Sequence, residues 1–193
     1  LTIIEGDFLK LDLHEIVAGY RDVKRWKIVG NLPYYITTNI LLRLIEARSC
    51  FKTAVITVQE DFARRLVALP GSKDYSSLSI FVQTRFEVRV LFTIKQGSFF
   101  PRPEVRSAVV RMDVLERPPY NIEDEGLFFQ TVRAAFGQRR KTLRRSLRNV
   151  PKLDPELIDE ASRTSGVGLD KRGEQLSIGD FARLANAIKR VLG

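Results

Sequence analysis

Cysteine is almost missing from this chain: Cys50 is the only one. A lone thiol closes no disulfide within the chain and builds no cysteine-rich metal site, and such sparing use fits a reducing compartment. Histidine is equally scarce, with His14 alone, so a histidine metal cluster is excluded too. No run of 18 apolar residues exists, the length a membrane-spanning helix needs. The opening Leu1-Thr2-Ile3-Ile4-Glu5-Gly6-Asp7 has neither a basic flank nor a long apolar stretch, so it does not read as a signal peptide. Met112 is the only methionine, so the sequence does not open on an initiator, and a piece of a longer protein is expected. The expected setting is the cytoplasm and the expected state a monomer, with no metal.

Positive charge is what abounds. The 193 residues carry 32 Lys and Arg against 23 Asp and Glu, a net charge of +9 with a pI near 9.9. Such a balance favours a polyanionic partner, nucleic acid or membrane surface, although a merely soluble basic protein can share it. Distribution sharpens the reading. Between Glu125 and Asp154 there is no acid, while eight Lys or Arg lie there. The positive charge is therefore concentrated in one segment.

Hydropathy patterning alternates strands with helices. Strands are expected over Leu1–Glu5, Lys27–Gly30, Thr53–Gln59, Phe86–Ile94 and Val105–Leu115. Helices are expected over Lys10–Gly19, Thr38–Ala47, Glu60–Ala68 and Ser76–Thr84. In Thr38–Ala47 the residues Ile40, Leu41, Leu44 and Ile45 share one face. This order predicts an α/β sheet with parallel strands, closed by an antiparallel pair because the last two strands lack a helix between them. Arg117-Pro118-Pro119-Tyr120-Asn121 reads as a linker. Beyond it the pattern is helical: Glu125–Phe136, Arg139–Arg148, Pro155–Ser162 and Ile178–Val191. Two domains are expected, 1–117 and 118–193.

Asn31-Leu32-Pro33-Tyr34 follows the Lys27–Gly30 strand, at the carboxyl end where open α/β sheets bind ligands. The same tetrapeptide also makes a good strand-to-helix turn, since proline fixes its own φ and biases Leu32 away from helix. Its chemistry suits a particular task. An adenine exocyclic amine is a poor nucleophile because its lone pair is delocalised into the ring. Two acceptors for the amine hydrogens draw the nitrogen toward tetrahedral geometry and free that pair. Asn31 can offer its side-chain oxygen and Leu32 its backbone carbonyl. Pro33 stiffens the turn, and placement supplies much of the rate. Tyr34 can stack on an out-turned base.

The turn resembles motif IV of amino-methyltransferases. The rest of the chain is similar to the KsgA-type small-subunit ribosomal RNA adenine dimethyltransferases. The similar segments are Gly6–Leu9, Val29–Tyr34, Gln59–Leu66, Phe100–Val109, Ala135–Leu143 and Arg172–Ser177, in family order along nearly the whole chain. The resemblance implies a Rossmann-like sheet that uses S-adenosylmethionine, followed by a small all-α domain that binds rRNA. It implies dimethylation of two adjacent adenines near the 3′ end of 16S rRNA, in an immature 30S-type subunit. Asp7 and Phe8 match cofactor-binding positions, with Asp7 on the cofactor's adenine. Asn31 matches a residue that contacts both cofactor and target, and Phe100 an aromatic that packs on the target base. Read without the family, Asp7 also suits a helix N-cap near Lys10, and Phe99 or Phe100 suits plain core.

Two departures stand out. The family's glycine-rich first βα turn and its ribose-binding acid are absent from these residues; Gly166-Val167-Gly168 lies in the helical tail and reads as a turn. This chain alone is therefore expected to bind the cofactor poorly. Gly173 stands where the family more often has proline, with little consequence expected.

In the basic segment, Phe128, Val132, Phe136, Leu143 and Leu147 suggest a buried stripe. Arg133, Arg140, Arg144 and Arg148 suggest another helical face, widened by Arg139, Lys141 and Arg145. A solvated charged face is the ordinary explanation, but so many cations without an acid repel one another, and phosphate binding answers that. A membrane surface fits less well, because holding the helical domain together takes up these apolar residues and leaves no insertion face. Three rival functions remain: a large-subunit rRNA adenine methyltransferase, a non-catalytic ribosome-assembly or nucleic-acid-binding factor, and a DNA adenine methyltransferase.

Overall fold

Strands β1 (Trp26–Asn31) and β2 (Phe51–Gln59) pair in parallel, with helix α2 (Thr37–Glu46) crossing between them. The computed structural model describes residues 2–20, 26–138 and 140–193. The chain forms two units, residues 1–67 with 85–115, and residues 68–84 with 116–193.

In the first unit, strands β3 (Phe86–Ile94) and β4 (Ser107–Val114) complete a sheet of order β1-β2-β4-β3. β4 runs antiparallel to both of its neighbours, as expected for two strands joined without a helix. Each central strand presents one apolar face: Ala54, Ile56 and Val58 of β2 and Ala108, Val110 and Met112 of β4 are buried. On α2, Ile40, Leu41, Leu44 and Ile45 are all buried, the face that the spacing predicts. Helix α1 spans only Leu13–Ala18, because Asp12 caps it by accepting from the backbone of His14 and Glu15. Helix α3 covers Glu60–Leu66.

The expected strand at Leu1–Glu5 is not formed over its described residues, Thr2–Glu5. None of the described strands pairs with this segment. Ile3 is 85% exposed, and without a paired neighbour β-branched residues do not make a strand.

The second unit is helical: α4 (Ser77–Gln83), α5 (Glu125–Gly137), α6 (Leu143–Ser146), α7 (Pro155–Ser165) and α8 (Ile178–Leu192). The break expected at 117/118 leaves 68–84 with the sheet, whereas packing groups those residues with the helices. Tyr75 and Ile80 are buried in the same cluster as Phe128, Leu143 and Phe181. Phe81 stacks on Phe129 at 4.0 Å, and the Tyr75 hydroxyl donates to the Leu176 carbonyl at 3.0 Å.

The expected helix over Arg139–Arg148 is also corrected. α5 ends at Gly137, and among the described residues of that range only Leu143–Ser146 is α-helical, followed by a short 3-10 turn at Leu147–Asn149. The backbone of Leu143 and Arg144 donates instead to the carbonyls of Lys171 and Leu169.

Candidate functional site

Asn31 ends β1, in register with Thr57 of β2. The Leu32 amide donates to the Thr57 carbonyl at 3.1 Å, so the first residue of the turn is still tied to the sheet. Pro33 then turns the chain with φ −61° and ψ 126°. Its carbonyl accepts from the buried Thr37 hydroxyl at 3.0 Å and from the Ile36 amide at 3.2 Å. The Tyr34 hydroxyl shares a 2.5 Å hydrogen bond with Ser107, a fully buried residue at the start of β4. The turn is thus fastened to β2, α2 and β4. Among the described residues, the Asn31 side chain and the Leu32 carbonyl accept no hydrogen bond. Two acceptors are thus left uncommitted, among the described residues, in a turn that the sheet, α2 and β4 hold in place.

A cavity of about 350 Å³ opens here, lined by Asn31, Leu32, Pro33 and Tyr34 and, from the loop before β4, by Phe99 and Phe100. Phe100 is fully exposed, while Phe99 is half-buried. The loop that carries them is braced from both ends. Gln96 donates to the Glu104 carbonyl. Glu60 pairs with Arg106 at 2.8 Å and with Arg64 at 3.1 Å, and its amide donates to the Arg106 carbonyl. So Asn31, Leu32, Pro33, Tyr34 and Phe100 come together at one cavity.

Asp7 and Phe8 do not line that cavity. Asp7 is exposed; one of its carboxylate oxygens accepts from the Leu9 amide at 3.0 Å, and its carbonyl accepts from Lys10. It is not a helix cap, because Asp12 holds that position. Its second oxygen has no partner among the described residues, so it can accept from an exocyclic amine. That free acceptor fits the adenine end of a nucleoside-type methyl donor. Among the described residues no group of three metal-ligating side chains occurs, and no helix is long and apolar enough to cross a membrane.

The cations of the basic segment are differently arranged from the expectation of one helical face. Arg133 lies on α5, Arg140 in the turn after it, Arg144 and Arg145 on α6, and Arg148 in the 3-10 turn. Arg139 lies outside the described residues. Arg140, Lys141, Arg145 and Arg148 are exposed. Arg144 is paired with Asp159 of α7 at 2.7 Å, and that guanidinium holds the Asp159 carboxyl below its ordinary range. The acid-free stretch of sequence therefore receives an acid from another helix. Phe128 and Val132 on α5, Leu143 on α6 and Leu147 in the 3-10 turn are buried as expected, while Phe136 on α5 is only partly buried.

Thr37, Glu60, Arg106 and Ser107 all hold the site, and sequence reasoning gave none of them a role. Glu60, Arg106 and Ser107 stand in segments similar to the family, yet Ser107 is 73 residues from Tyr34 and only the fold joins the two.

The family model described as Ribosomal RNA adenine dimethylase matches residues 1–190. The chain is 41% identical over 196 residues to the Ribosomal RNA small subunit methyltransferase A of Bacillus pumilus, covering 100% of this chain and 67% of that protein. Against the protein of the same name from Geobacillus kaustophilus it is 43% identical over 197 residues, with the same coverage. The chain thus spans about two thirds of the length of these curated relatives. A dimethyladenosine transferase from Plasmodium falciparum shares the fold, with a TM-score of 0.77 at 23% identity over 97% of this chain and 72% of that one. So does the 23S rRNA methyltransferase ErmE, with a TM-score of 0.64 at 22% identity over 96% of this chain and 71% of that one. With the Asn31–Tyr34 turn at the end of a sheet strand and a family match over nearly its whole length, the chain belongs to the ribosomal RNA adenine dimethylase family, enzymes that methylate adenine in ribosomal RNA.

Proposed function

We propose that this chain forms the target-base site of an enzyme that dimethylates the exocyclic amines of two adjacent adenines near the 3′ end of 16S rRNA. It would act as a monomer, in the cytoplasm, on an immature small subunit. The observation that carries the reading is the pair of uncommitted acceptors, the Asn31 side-chain oxygen and the Leu32 carbonyl, in a turn fixed on three sides.

The out-turned adenine enters the cavity and stacks on Tyr34 and Phe100. Its two amine hydrogens donate to Asn31 and Leu32, which draws the nitrogen toward tetrahedral geometry and frees its lone pair. S-adenosylmethionine supplies the methyl group as an electrophilic carbon on sulfonium, with Asp7, Phe8 and Asn31 as this chain's contacts to it. A nitrogen–carbon bond forms as the donor's carbon–sulfur bond breaks, and the nitrogen then loses a proton to water. No base is required, because an alkylated ammonium is far more acidic than a neutral amine. Arg133, Arg139, Arg140, Lys141, Arg145 and Arg148 hold phosphates and position the RNA, with Arg144 braced by Asp159 among them.

The test uses a protein that carries this chain behind the strand and glycine-rich turn typical of the family. Methyl transfer to adenines is mapped on isolated small and large subunits. Modification of the small subunit alone is expected, and Asn31→Ala should lower kcat by roughly 100-fold or more, the usual cost of one preorganised hydrogen-bonding group, with RNA affinity retained. Methylation confined to large subunits, or an Asn31→Ala protein of full activity, would overturn the proposal. Asn31→Ala that still supports subunit assembly would reveal a separate assembly role.

A further inference from the structure

The segment Ala135–Leu143 carries cations that account for phosphate contacts, but its uncharged members Gly137 and Gln138 have no place in that account. They lie on the wall of a second cavity, about 390 Å³, at the end of α5. Gln130, Arg133, Asn149 and Pro151 complete its main lining. We propose that this cavity is a second, non-catalytic pocket that takes one unpaired nucleobase of the bound RNA. The proposal rests on the reading of the helical unit as an rRNA-binding surface.

Its chemistry favours a base over a phosphate. Gln130, Gln138 and Asn149 each present a carbonyl acceptor and an amino donor, and among the described residues none of these side chains has a hydrogen-bond partner. A phosphate carries acceptors only, so it would leave three carbonyls idle. A base edge offers donors and acceptors side by side, the pattern that Asn and Gln match. The volume lies in the range of small-molecule pockets. Ala134 and Pro151 add apolar wall for a ring face.

Arg133 is held in a way that suits the same task. Its guanidinium carbon lies 5.2 Å from the centre of the Phe81 ring, and Phe81 itself stacks on Phe129. An aromatic rather than an acid thus steadies the cation. Its donors stay available, and its plane can cover a base, a common mode for unstacked RNA bases.

Gly137 supplies an independent sign. Its φ is not in the left-handed region, so its backbone does not call for glycine, and an added Cβ would meet nothing within 4 Å. Glycine here leaves room open rather than relieving strain.

The test is a titration of the 15N-labelled chain with AMP, GMP, CMP and UMP, and with inorganic phosphate as control. The side-chain amide signals of Gln130, Gln138 and Asn149 are followed. Saturable shifts with at least one nucleotide and none with phosphate are expected. The same shifts with phosphate alone, or no response to any nucleotide, would overturn the proposal. Gly137→Leu should abolish the response and weaken binding of a short single-stranded oligoadenylate by about tenfold, with an unchanged salt slope. Arg140→Ala should instead lower that slope by about one. If the Gly137→Leu spectrum shows loss of fold, Asn149→Ala takes its place with the same readouts. No methyl donor is present, so the outcome is independent of the catalytic reading.

Discussion

Replacing Ser107 by alanine removes one end of the bond that holds the Tyr34 ring, and the structure fixes how unequal the two ends are. Ser107 is fully buried, while Tyr34 is half-exposed. A Tyr34 hydroxyl that loses Ser107 can turn toward water, so Ser107→Ala should cost about 1 kcal/mol, the net worth of a typical hydrogen bond. Tyr34→Phe strands the Ser107 hydroxyl in the interior and should cost more, about 1–3 kcal/mol. With both polar groups gone nothing is left unsatisfied, so the double variant should cost less than the sum, with a coupling of about 1 kcal/mol. For a chain of this length, each kcal/mol corresponds to about 2–4 °C in Tm. Trp26, the only tryptophan, starts β1 in the same unit, so its fluorescence in a denaturant series reports this unfolding. Activity adds a second readout. A loosened ring should lower kcat more than it raises KM, because misplacement acts on the reacting geometry. Additive single variants, or a Ser107→Ala protein as stable as the parent, would refute the idea that the buried hydroxyl anchors the turn.

Four further outcomes are expected. Gly173→Ala should destabilise the helical unit by about 1–3 kcal/mol in thermal unfolding followed by circular dichroism, because a Cβ there would lie 2.9 Å from the Ala135 carbonyl oxygen. Asp113 is held below its usual range by its hydrogen bond with Arg111, helped by Thr53. Its folded pKa is depressed, so its stabilising contribution is present above about pH 4 and fades as pH falls toward the folded value; Asp113→Asn should flatten that part of a stability–pH profile. Cys50 is buried and burial pushes its thiol pKa up, so a thiol reagent at neutral pH should label it only after unfolding. Calorimetry on this chain alone should detect weak S-adenosylmethionine binding or none, and tight binding would show that the glycine-rich turn is dispensable.

Local pattern was a good guide wherever one face of one element had to be apolar. The α2 face, the β-branched β2 and the Asn31–Tyr34 turn are as the spacing predicts. It failed where packing outranked local preference. Thr2–Glu5 has β-branched residues but no strand beside it. Ser77–Gln83 is the helix expected there, yet Ile80 is buried, and Phe81 partly buried, among residues much later in the chain. The Arg139–Arg148 pattern looked like one helix because charge and apolar residues repeat at compatible intervals, but Leu143 and Arg144 found backbone partners in 169–171.

Residue order alone determined that the chain has a strongly basic segment free of acids, a polar–aromatic turn after a strand, and a sheet followed by helices. These are properties of neighbours, set by side-chain chemistry and period. The tertiary structure decided that Ser107 anchors Tyr34, that Phe100 shares a cavity with Asn31, and that Asp159 reaches Arg144. Each of those joins groups far apart in sequence, and only the burial that closes the chain on itself brings such groups within a hydrogen bond of one another.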